Sequence, residues 1–146
     1  MSPSALPLSL DSANGHSSRT EANPSLPENP TQGDRTLQLA FEALSAKSFH
    51  HAFTLFHEAL LPLTASDAIS TPEGRASALN MRATFKFIMS DAQGALKDLD
   101  EATSIWPAGA QSWVKKASVH MELGDPEAAF KDFEKALEID PQNADV

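Results

Sequence analysis

Residues recur at a spacing of 34 along the second half of this chain. Ala83 is matched by Ala117, Asp91 by Asp125, Ala95 by Ala129, Leu99 by Phe133, Ala102 by Ala136 and Pro107 by Pro141. A unit this short cannot bury an apolar face alone, so a chain that repeats it must stack the copies.

The best-defined copy runs from Ala110 to Pro141 and reads as two antiparallel helices. Trp113, Ala117, His120 and Met121, then Ala129, Phe133, Ala136 and Leu137, fall at helical spacing. Between them, Leu123-Gly124-Asp125-Pro126 has the chemistry of a break. Glycine takes the left-handed conformation that closes a helix, aspartate caps the next one, and proline fits a first helical position where no donor is needed. A third copy lies upstream, with Ala40, Ala52, Phe56 and Ala59 in the small and aromatic places. It sits about nine residues too far upstream for strict periodicity. The excess falls in PLTASDAISTPEG, after Leu61, a stretch with the breakers of a connecting loop.

These signals predict six helices. The first spans Asp34 to Ala46, with Asp34 as its cap and Leu37, Ala40, Phe41 and Leu44 as its stripe. The second spans Phe49 to Leu61 and turns Phe49, Ala52, Phe53, Phe56, Ala59 and Leu60 inward. Thr71-Pro72-Glu73 opens a third that reaches Met89, and Asp91 caps a fourth from Ala92 to Ile105. The last two are the hairpin already described.

An aromatic in the fourth place, small residues in the eighth and twentieth, an aromatic in the twenty-fourth, Ala in the twenty-seventh and Pro in the thirty-second resembles the tetratricopeptide repeat. The resemblance implies an all-α fold, a right-handed α-solenoid of three helix hairpins at about 34–62, 72–107 and 110–141. A Ser- and Pro-rich tail, residues 1–33, precedes it. That tail has too few bulky residues to offset its ordering entropy and is expected to be disordered. With one basic residue, Arg19, against Asp11, Glu21 and Glu28, it lacks the pattern of a mitochondrial presequence.

Composition narrows the chemistry. There is no cysteine, which removes disulfides, thiolate metal sites and cysteine nucleophiles. The net charge of −9 opposes general nucleic-acid binding, which needs clustered Lys and Arg. No apolar run approaches the roughly 20 residues of a membrane span, so this segment is not expected to insert. His50, His51 and His57 lack an i, i+4 pair with a third ligand, and His120 takes a place where the repeat packs a ring. The glycines are scattered rather than grouped in a phosphate loop. Asp98, Asp100 and Glu101 share a helix but have no matched acid–base partner. No catalytic residue, metal or cofactor is expected, and the chain is not read as an enzyme.

The working surface of stacked hairpins is the inner wall made by their first helices. Its expected lining is Leu37, Phe41 and Leu44, then Asn80, Thr84 and Phe87 with Ile88, then Val114, Ser118 and Met121. That set suits a peptide with a hydrophobic face. The alternative for Phe87, Ile88 and Met121 is inter-repeat core.

Repeat domains of this family that clamp the acidic tails of heat-shock chaperones place Lys, Asn and Arg on these helices. Leu37, Phe41, Met81, Gln111 and Lys115 stand there instead, which opposes a carboxylate clamp. The run Thr84-Phe85-Lys86-Phe87-Ile88-Met89-Ser90-Asp91 resembles the large receptors of the mitochondrial outer-membrane translocase, in fungal form, near the start of their C-terminal repeat region. The resemblance covers about Asp34 to Val146. It implies a receptor fragment on the cytosol-facing side of the mitochondrial outer membrane. Its expected partners are precursor proteins with hydrophobic segments and, in the parent protein, other translocase subunits. A structural scaffold in another assembly, or a co-chaperone-like adaptor, is the rival reading. Because helix six would leave one face bare, self-association is expected. Truncating Phe133 is expected to cost about 3–5 kcal/mol, as for a buried Phe.

Overall fold

The computed structural model describes residues 25–61, 64 and 66–143. Residues 1–24, which carry most of the expected disordered tail, lie outside them. Among the described residues six α-helices follow one another: α1 (Gln32–Ser45), α2 (Phe49–Leu60), α3 (Pro72–Ile88), α4 (Ala92–Ile105), α5 (Ala110–Glu122) and α6 (Pro126–Ile139), with a 3-10 turn at Pro141–Asn143. No strand occurs among the described residues. Each helix packs on the next, and α3 also touches both α1 and α5. The first helices of the three hairpins thus form one continuous wall, an α-solenoid.

Local chemistry sets the helix ends. Thr71 Oγ1 accepts from Gly74 N at 3.0 Å, Asp91 Oδ1 from Gly94 N at 2.9 Å, and Asp125 Oδ1 from Ala128 N at 3.1 Å. Helix α1 differs from expectation. Its cap is Thr31, and Asp34 is the third helical residue of a capping box, its Oδ2 accepting from Thr31 N at 2.9 Å. At the other end, the first helix of each hairpin closes on a left-handed residue: Lys47 (φ 64), Ser90 (φ 68) and Gly124 (φ 80). The next backbone N–H then bonds back to the helix in the same way each time: Ser48 to Ala43, Asp91 to Lys86 and Asp125 to His120.

Small residues let the helices approach. Ala40, Ala83 and Ala117, then Ala52, Ala95 and Ala129, then Ala59, Ala102 and Ala136 are all at most 1% exposed. In the first cluster, with Ala40, Ala52 and Ala59, Phe41 and Phe56 meet edge to face, with centroids 5.1 Å apart, and Leu79 of α3 joins them. A second cluster joins Ala83, Ala95, Leu99 and Val119. Phe49, expected inward, is exposed at the first position of α2. Phe133 is only partly buried: its counterpart Leu99 lies beneath α5, whereas among the described residues no helix covers α6 in that way.

The residues in excess of the period fold back onto the start of α1. Gly33 N donates to Asp67 O at 2.7 Å, Thr31 Oγ1 to Ala68 O at 2.6 Å, and Ser70 N to Asp34 Oδ1 at 2.9 Å. Ile69 is buried in the first cluster. A Cβ on Gly33 would lie 2.6 Å from Ile69 N, so only glycine admits this approach. Burial works to raise the Asp34 carboxyl, but the hydrogen bonds from Ser70 and Thr31 outweigh it and hold the group below its ordinary value of 3.8.

Candidate functional site

Two clefts open on the wall of first helices. One, of about 290 Å³, lies between α3 and α5 and is lined by Ala83, Thr84, Phe87, Leu99, Gln111, Val114, Lys115, Ser118 and Val119. Its floor is apolar because Leu99 and Val119 belong to the second core cluster, against which Phe87 also packs. Its rim is polar. Lys115 Nζ donates to Thr84 Oγ1 at 2.9 Å, and that hydroxyl donates in turn to Asn80 O at 2.9 Å. The second cleft, about 380 Å³, lies between α1 and α3. Asp34, Leu37, Gln38, Glu73, Gly74 and Ser77 line it, together with Ser25, Leu26 and Pro27 of the segment that leads into α1. Among the described residues, Gln38 Oε1 is the one buried side-chain oxygen or nitrogen with no hydrogen-bond partner.

Thr84, Phe87, Val114 and Ser118, four of the ten residues expected in the groove, come together in the α3–α5 cleft. The other six do not join them. Phe41 is 2% exposed and meets Phe56 edge to face, and Leu37 is 4% exposed, touching the α1–α3 cleft only from the core beneath it. Leu44 is half-buried against the same core. Asn80 is buried, and its Oδ1 accepts from Ser112 Oγ at 2.8 Å, so its amide joins α3 to α5 rather than facing a ligand. Met121 is 56% exposed at the end of α5, outside either cleft, and Ile88 is 71% exposed at the end of α3. Neither is the inter-repeat core that the alternative proposed. Phe87, half-buried, is both core and lining.

The periodicity does contain a signal for Gln111 and Lys115, which belong to the lining. They flank Val114 on the same stripe of α5, one turn apart. A further signal lies inside the hairpins. Asp98 and Asp132 occupy the same place in successive repeats, and so do Lys86 and His120. Asp98 accepts from Arg82 Nε at 2.9 Å and Nη2 at 2.8 Å and pairs with Lys86 Nζ at 3.1 Å; its side chain is 4% exposed. Asp132 Oδ2 lies 2.6 Å from His120 Nδ1, which donates if the partner is a carboxylate. In the first hairpin the same two places hold Ala43 and Leu55, both buried. The buried acids thus tie the two helices of a hairpin to each other and stand outside both clefts. No group of three or more His, Cys, Asp or Glu able to hold a metal occurs among the described residues, and none of their helices is long and apolar enough to cross a membrane.

Known proteins share this arrangement. A tetratricopeptide-repeat family model matches residues 110–143. Over 75 residues, 49% of this chain, the sequence is 40% identical to mitochondrial import receptor subunit TOM70 of Homo sapiens; the match spans 12% of that receptor's length. Among solved structures, the second repeat domain of Spaghetti (RPAP3), bound to the HSP90 peptide SRMEEVD, superposes with a TM-score of 0.60 at 17% identity. That match covers 75% of this chain and 93% of the other. MamA does so with a TM-score of 0.61 at 18% identity, covering 80% and 63%. The third hairpin thus matches a tetratricopeptide repeat, and three hairpins in one register give the chain the α-solenoid fold of these repeat domains.

Proposed function

We propose that this chain is a non-enzymatic binding module of a mitochondrial import receptor, acting on the cytosol-facing side of the outer membrane. Its α3–α5 cleft takes hydrophobic segments of precursor proteins. The observation that carries this reading is the cleft itself, where an apolar floor of Leu99, Val119 and Phe87 is edged by Thr84, Lys115 and Ser118. An apolar floor takes side chains, and hydroxyls and amides at the rim take the backbone of an extended or helical peptide. Similarity to TOM70 over half the chain supports the choice of ligand. An acidic-tail adaptor is the weaker reading, because Leu37, Phe41 and Met81 are buried apolar residues where carboxylate partners would be needed.

Fluorescence anisotropy with a labelled carrier-protein segment, a scrambled control and the acidic peptide SRMEEVD tests this. The carrier segment should bind saturably, and the other two should bind at least tenfold more weakly. Ser118→Glu, at an exposed position on the rim, should weaken binding at least tenfold without changing the circular dichroism. Equal binding of the scrambled peptide, or indifference to Ser118→Glu, would remove the cleft from this role. Preference for SRMEEVD would establish the adaptor reading in its place.

A further inference from the structure

Among the described residues ten large apolar side chains are exposed, and half of them cluster at the hairpin turns. Phe49, Ile88, Met89, Met121 and Leu123 all lie within three residues of a left-handed turn residue, and their exposure runs from 36% at Leu123 to 71% at Ile88. Because the hairpins stack in one register, their three turns share one edge of the solenoid. Each turn points across the stack rather than along it, so stacking leaves this edge open. Ala46, Met89 and Leu123 hold one place in the three repeats, just before the left-handed residue, and all three are apolar and exposed. A residue that ends a helix in water packs on nothing and has no reason to be apolar. Three such residues, with Phe49, Ile88 and Met121 beside them, make a strip of the kind that marks an interaction surface. None of the six lines either cleft.

Charge along the edge changes sign from one end to the other. Around the first turn, residues 43–57 contain Lys47, His50 and His51 and no Asp or Glu. Around the third, residues 117–130 contain Glu122, Asp125 and Glu127 and no Lys or Arg. All six of these side chains are exposed. The edge therefore carries its own complement. We propose that it is a self-association surface, on which two copies of the chain lie antiparallel, edge to edge, about a two-fold axis near Met89. Reversal sets Lys47, His50 and His51 of one copy against the acids of the other copy's third turn, and the symmetry makes that contact twice. The apolar residues of the three turns then meet each other along the line between. A parallel pair would set base against base and acid against acid. A foreign segment of one charge sign would match one end of the edge and oppose the other, which is why the second copy is the occupant. The edge is separate from the α3–α5 cleft and serves this role whether or not that cleft binds precursors.

Sedimentation equilibrium of the full chain, from micromolar to near-millimolar concentration, tests this. The wild type should show a monomer–dimer equilibrium that Met89→Lys weakens at least tenfold. Lys47→Glu and Glu122→Lys should each weaken it as much, and an equimolar mixture of those two variants should recover the wild-type affinity. In the mixed pair both end contacts again join opposite charges. The three positions are exposed, and unchanged circular dichroism and melting would confirm that the variants fold. A chain that stays monomeric throughout, a dimer that Met89→Lys leaves intact, or a mixture that stays monomeric would overturn the proposal. So would a dimer lost with Phe130→Glu and kept with Met89→Lys, which would put the contact on the outer face of α6 instead.

Discussion

Lys47, Ser90 and Gly124 occupy one place in three repeats and share one left-handed backbone, yet only one of them is glycine. A side chain there costs about 1–2 kcal/mol, and glycine gives back part of that gain through its larger unfolded-state entropy. Lys47→Gly and Ser90→Gly should therefore each stabilise the fold by roughly 0.5–1 kcal/mol, read as a higher urea midpoint with an unchanged slope. The Gly124 turn was legible because Gly-Asp-Pro announces it; nothing in the types Lys and Ser marks the other two. Asp34 was likewise placed at the right helix end but one role away, since Thr31 and Asp34 share the capping box. Because hydrogen bonds lower its folded pKa, Asp34 adds stability that is present above its ordinary 3.8 and is lost as pH falls through the folded value. The stability gap between wild type and Asp34→Ala should be constant near neutral pH and shrink below about pH 4, the window this shift sets. A gap that held constant to pH 2 would show that the carboxylate charge is not what Thr31 and Ser70 hold.

Helix by helix, burial depends on which neighbour each face meets, and this is where sequence reading ran short. A helical stripe shows which residues face inward, but not whether inward is core or cleft. Leu37 and Phe41 lie on the same wall as Val114 and Ser118, yet α2 and α3 close over the former pair. Phe56 and Phe133 share a place and differ in cover: the first is fully buried and the second only partly. Phe56→Ala should cost about 3–5 kcal/mol, the range for a buried Phe, and Phe133→Ala distinctly less. Equal losses in chemical denaturation would mean that the outer face of α6 is covered in solution. The buried acids supply a second contrast. Asp98→Ala leaves the Arg82 guanidinium and Lys86 without their carboxylate and should cost about 3–5 kcal/mol, whereas Asp100→Ala, which removes an exposed carboxylate, should cost no more than about 1 kcal/mol. The repetition of Asp98 as Asp132 was visible in the sequence. That these acids lie between two packed helices was not, because a helix can carry the same spacing on a solvated face.

For the molecule as a whole, the period of 34 fixed the architecture: hairpin number, helix order and the alanines that set helix approach follow from it. The departure from the period was equally visible, as an excess between Leu60 and Arg75, but its destination was not. Those residues return to the start of α1, where Gly33 admits them. Gly33→Ala should push that backbone away and cost about 1–3 kcal/mol, the range for overpacking, lowering the thermal midpoint. The same substitution at Gly124, where a Cβ would touch nothing, should register only the backbone strain. The fold-back also bears on force. Because Thr31, Gly33 and Asp34 are fastened to residues 67–70, tension applied through the amino-terminal segment passes into the second hairpin before it reaches the body of α1. The first helix cannot be peeled off one turn at a time. A pull from that end must shear the clasp first, and so tugs on two repeats at once.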